Sequence, residues 1–183
     1  MDTTDLLDQA WAWTSARVAA VPADGLAAPT PCGQWDLGQL LDHTIGSLTM
    51  LVDAVATGPA VPPDAPASDE TSWHRAITEL ADRSRRAWQA PGVMDRTIEL
   101  PIGSMPAPAV ASITALEAVV HGWDISQATG EAAEIPDVLA RPILEFARQA
   151  VGDANRGDNF APALDLGGTP SARLVAFLGR KPL

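Results

Sequence analysis

Residues 115–126 read ALEAVVHGWDIS, and their spacing decides how the rest of the chain is read. Ile113, Leu116, Val120 and Trp123 recur at intervals of three and four, the period of one helix face. Glu117 and His121 are four residues apart, which stacks them on one side of the same helix. Thr114 and Asp124 fall on that side too. The pattern predicts a helix from about residue 108 to 129, stopped by Gly130. Its polar strip lies beside the apolar stripe, so the strip is expected at the edge of a helical core. Taken alone, a Glu–His pair at this spacing also fits a surface contact or a capped core histidine.

Working outward, the same period recurs. Leu6, Leu7, Ala10, Trp11, Thr14 and Val18 mark a helix over about 4–20, closed by Pro22 and Gly25. Leu37, Leu40, Leu41, Thr44, Leu48, Leu51, Val52 and Val55 mark a second, with Asp36 as its cap and Gly58 and Pro59 as its stop. A Pro/Ala linker over 59–67 precedes a third helix, capped by Ser68 and carrying Trp73, Ile77, Leu80, Ser84 and Trp88. The segment RTIELPIGSMPAP, 96–108, reads as a small hairpin or irregular excursion between helices three and four. A fifth helix starts near Pro136, a first-turn proline. A looser stretch follows over about 152–168. Thr169, Pro170, Leu174, Phe177, Leu178 and Gly179 then signal a short last helix. The expected fold is all-α: one domain over 1–183, a four-helix bundle with additional short C-terminal helices.

His43 is the third candidate for chemistry. It lies roughly 130° from the centre of the second helix's apolar stripe, at 100° per residue. It therefore faces solvent or a groove between helices. His43, Glu117 and His121 together would offer two imidazoles and a carboxylate, a set that suits zinc with an open water position. Nickel and iron fit the same donors. Asp124 is a candidate to hydrogen-bond a ligand imidazole, or else makes an ordinary polar contact. His74 reads as a solvated helix-start residue. Cys32 reads first as a small buried hydrophobe, with metal ligand and reactive thiol as alternatives. Trp11, Trp73, Trp88 and Trp123 read as core, and Trp35 as an anchor for its loop.

Bulk properties narrow the partners. The chain has 183 residues and a net charge of −11, from 23 acidic and 12 basic side chains. That field repels phosphate backbones and anionic membranes. One cysteine allows no intrachain disulfide and no cysteine-rich zinc cluster, and fits a reducing cytoplasm. The acidic start, MDTTDLLDQA, lacks the basic and apolar parts of a secretory signal. No apolar run approaches the roughly 20 residues that span a bilayer.

Three blocks resemble a known family. TPCGQWDLGQLLDHTIGS (30–47), ALEAVVHGWDISQATG (115–130) and SARLVAFLGRKP (171–182) are similar to segments of the metal-binding domain of mycothiol-dependent maleylpyruvate isomerases, within the DinB-like superfamily of metal-dependent four-helix bundles. The resemblance implies a divalent metal, usually zinc, held by His43, Glu117 and His121. It also implies a low-molecular-weight thiol such as mycothiol as cosubstrate, activated for isomerisation or S-transfer. The isomerases carry a second, C-terminal domain, and only about 50 residues follow the metal motif here. The expected activity is accordingly a stand-alone thiol S-transferase or isomerase-like reaction on a small electrophile. An arginine near the cleft is expected to hold an anionic group, though spacing does not single one out. A non-catalytic metal-binding sensor or interaction module is the alternative, and a homodimer is left open.

Overall fold

The computed structural model describes residues 2–33, 35–57, 70–152, 156–157, 160–165 and 167–183. Helices α1 (Thr3–Ala19), α2 (Leu37–Thr57), α3 (Glu70–Trp88) and α4 (Ala107–Ala128) form the bundle. Helices α5 (Asp137–Ala150) and α6 (Pro170–Phe177) pack against each other, and α5 also packs on α4. Within the bundle α4 touches α1 and α2, and α3 touches the same two from the opposite side. The helices thus form a ring in the order α1–α4–α2–α3. This is the all-α four-helix bundle with C-terminal helices expected from the periodicity.

The helix ends follow from side-chain chemistry. Asp2 caps α1 by accepting from the Asp5 amide. Asp36 and Gln39 cap α2 reciprocally: the Asp36 carboxylate accepts from the Gln39 amide at 2.8 Å, and the Gln39 side chain accepts from the Asp36 amide at 3.1 Å. Thr169 caps α6 through the Ala172 amide. Two proline positions differ by one residue from expectation. Pro136 is the residue before α5 instead of its first, and Pro108 is the second residue of α4. The expected stop of α2 at Gly58 and Pro59, the linker over 59–67 and the Ser68 cap lie outside the described residues.

The excursion after α3 is a hairpin. Strands β1 (Thr97–Leu100) and β2 (Gly103–Pro106) pair antiparallel, Thr97 opposite Pro106 and Leu100 opposite Gly103. Ile98 and Leu100 turn inward, which buries one face of this short ribbon.

One expectation is corrected. Most of the polar strip of α4 lies inside the core, and only Glu117, with its side chain 25% exposed, stays at the edge. Leu116, Val119, Val120 and Trp123 are buried, and so are Thr114, His121, Asp124 and Ser126. With α1, α2 and α5 around it, α4 is enclosed on nearly all sides. Its closeness to α1 depends on Gly122. A Cβ there would stand 2.8 Å from the Trp13 Nε1 atom and 3.3 Å from the Thr14 hydroxyl. Both of those side chains donate across the gap, Trp13 to the Val119 carbonyl and Thr14 to the Ala118 carbonyl.

Candidate metal centre

Two helices and two flanking segments supply the site. From α4 come Glu117, His121 and Asp124. From the adjacent α2 come His43 and Ser47, on the side that the helical count assigned to a groove. The loop before α2 brings Cys32 and Trp35. The turn after α6 brings Arg180.

His121 is the hub. Its Nε2 lies 3.3 Å from the Glu117 carboxylate and its Nδ1 lies 3.0 Å from Asp124. The three-residue and four-residue steps along one helix place a carboxylate at each end of the ring. The His43 ring stands edge-on to it, centroids 5.0 Å apart. One donor atom from each of His43, Glu117 and His121 falls within 4.8 Å of the others. Ser47 donates to Glu117 at 3.4 Å, and Trp35 covers His43 at a centroid distance of 4.3 Å.

The electrostatics follow from burial and pairing. Burial disfavours charge on His121, but its hydrogen bonds with Asp124, Cys32 and Glu117, the carboxylates accepting, outweigh it and hold its pKa well above the usual imidazole value. His43 shifts the other way, because burial and the nearby His121 both disfavour its proton. Burial opposes charge on Glu117 too, yet His121 pulls its value below the usual carboxylate range. For Asp124, burial is again outweighed, here mainly by the Arg180 guanidinium and then by His121.

The loop that leads into α2 is tied down from within. Thr30 donates to the Trp35 carbonyl at 2.7 Å and accepts from the Cys32 amide. Pro29 and Asp36 form an isolated bridge. Cys32 is not the buried apolar residue that base rates suggest. It is partly exposed, and its thiol donates to Asp124 at 3.2 Å. Trp35 anchors the loop as expected, through His43. His74 is exposed, also as expected.

Arg180 escaped the sequence reading. Its Nε lies 3.0 Å from both Asp124 oxygens, and one terminal nitrogen is 3.8 Å from the Cys32 sulfur. It is delivered by Gly179, which has φ of +76° and passes so close to Ala161 that a Cβ would meet the Ala161 carbonyl oxygen at 2.5 Å. Nothing local in the sequence announces an Arg180–Asp124 pair 56 residues apart.

Comparison with known proteins follows the same lines. The family model described as "Mycothiol maleylpyruvate isomerase N-terminal domain" matches residues 7–126, a span that includes His43, Glu117, His121 and Asp124 but not Arg180. Two uncharacterized proteins of Mycobacterium tuberculosis, from strains CDC 1551 and H37Rv, are 33% identical over 171 residues, covering 91% of this chain and 91% of each relative. Crystal structures of the mycothiol-dependent maleylpyruvate isomerase and of a histidine-to-alanine mutant of it superpose with TM-scores of 0.61 and 0.60. They cover 82% of this chain and 72% of theirs at 16% identity, a likeness of fold. Among the described residues no helix is long and apolar enough to cross a membrane.

Proposed function

Since this chain belongs to the mycothiol maleylpyruvate isomerase N-terminal domain family, we propose that it binds one divalent metal through His43, Glu117 and His121 and uses it to present a small thiol, of the mycothiol type, to an electrophile. The whole chain then acts as one metal-binding bundle. The observation that carries the reading is the convergence of two imidazoles and a carboxylate within 4.8 Å. These donors fit zinc, and also nickel or iron. When bound, the metal supplies a Lewis acid that lowers the pKa of a coordinated thiol, so that it is held as the nucleophilic thiolate.

The chain's own residues divide the remaining work. Asp124 accepts from His121 Nδ1, which fixes the ring and leaves Nε2 directed at the Glu117 side. His43, whose proton is disfavoured, is ready to donate its lone pair. Ser47 takes up part of the Glu117 carboxylate, which limits its rotation. Trp35 shields one side of His43 from water. Membership of this family and the likeness of fold to the mycothiol-dependent isomerase support the choice of thiol and an isomerase-like or S-transfer reaction.

Cobalt loading followed by titration with a small thiol tests the proposal. A thiolate-to-cobalt charge-transfer band and conjugation of the thiol to some member of a panel of electrophiles are expected. Tight metal binding with neither response would reduce the protein to a metal-binding module and end the catalytic reading.

A further inference from the structure

We infer that the chain carries a second, latent metal-ligand set, Cys32, His121 and Asp124, which the Arg180 guanidinium keeps closed. One donor atom from each of the three lies within 4.8 Å of the others. A thiolate, an imidazole and a carboxylate form a donor set that first-row and softer divalent metals accept. The set shares His121 with the proposed metal centre but meets it at the opposite ring nitrogen. Nδ1 faces Asp124, whereas Nε2 faces Glu117.

A cation already stands against this set. Arg180 reaches both Asp124 oxygens at 3.0 Å and the Cys32 sulfur at 3.8 Å. Its side chain is only 11% exposed. A guanidinium does not lose its charge at any working pH, so it balances the fully buried Asp124 permanently, as a metal would. Its presence makes a second cation beside Asp124 electrostatically costly. Two consequences follow for the site. A metal is directed to the His43 side, and Cys32 is withheld from it, so the sulfur that reaches the metal comes from an added thiol. The first consequence rests on the proposed function; the closed Cys32 set stands on its own geometry.

The test is a cobalt titration without added thiol. Arg180→Gln removes the charge at similar length. Arg180→Met is a second neutral variant that keeps an apolar stem, and Arg180→Lys keeps the charge. The parent and Arg180→Lys should show no thiolate-to-cobalt band. Both neutral variants should show one, and Cys32→Ser introduced into them should abolish it. Their melting temperatures should also rise more with cobalt than the parent's. A band in the parent that Cys32→Ser removes would overturn the inference, because the set would already be open. So would a folded neutral variant without a band, or neutral variants that stay unfolded in excess cobalt, since the metal should replace the lost cation. A parent that binds no cobalt beside a neutral variant that shows the band would sink the His43 centre and keep this inference. Cobalt binding without a band in both would do the reverse.

Discussion

The Nδ1 atom of His121 stands 3.0 Å from the Asp124 carboxylate one helical turn further on, and the same carboxylate is held at both oxygens by Arg180. Asp124→Asn keeps the shape and removes the charge. It takes the partner from the imidazole and leaves Arg180 without its counter-ion in a buried place. Metal affinity should fall about 10–100-fold, the usual cost of losing such an outer contact. The metal-free protein should lose about 3–5 kcal/mol, the range for breaking a buried pair from one side. Chelator competition and denaturant melts measure the two effects separately.

Removing the proposed ligands should separate binding from folding. His43 is partly exposed in the groove but packs against Trp35, so His43→Ala should cost the metal-free protein about 1 kcal/mol, the usual size of a point substitution. Its metal content after mild purification should drop to background. His121→Ala should lose both metal and stability, since it empties a buried position with two carboxylates beside it. Variants that hold as much metal as the parent would place the centre elsewhere.

The proton on His121 gives a calorimetric signature. Its two carboxylate partners raise its pKa well above the ordinary imidazole value, so near neutral pH the metal-free ring holds its proton and donates at both ends. The stability from that charge is fully present below the ordinary imidazole value and is lost as pH rises through the folded value. Glu117 and Asp124, both lowered, contribute stability that is present above the ordinary carboxylate range and lost on acidification. Metal binding must displace the His121 proton, so about one proton should be released near neutral pH. Affinity should then rise by about tenfold per pH unit in that window. Titrations in buffers of different ionisation enthalpy read the proton directly, and a heat independent of buffer would contradict this.

Gly122→Ala should act through packing. Its new methyl group meets Trp13 and Thr14 on α1. Overpacking of this kind costs about 1–3 kcal/mol, which is a fall of about 2–4 °C in Tm per kcal/mol for a chain of this size. Because Gly122 follows His121, cobalt spectra of the variant should also broaden or shift. An unchanged Tm would show that Trp13, which is only partly buried, swings away without cost.

The bundle was legible because apolar spacing repeats faithfully along α1, α2 and α3, and because Asp36 and Thr169 cap the helices whose stripes they precede. Glu117 and His121 were legible for the same local reason. His43 was legible through its displacement from the stripe. The enclosure of α4 was not, because its own pattern still shows a stripe and the α5 contact that closes the remaining side is a tertiary choice. Cys32 was misread for a related reason: its polar partner, Asp124, is 92 residues away. Arg180 was invisible because the turn at Gly179 and the packing of α6 on α5 decide where it arrives.

The enclosure of α4 has a consequence for how such a site can change over time. Its floor is built on a helix wedged among three others, where almost any substitution disturbs the whole bundle. Its rim includes Cys32 and Trp35 on a short loop, held by a few hydrogen bonds. Drift can therefore retune what the site admits by altering the rim while the floor is inherited unchanged.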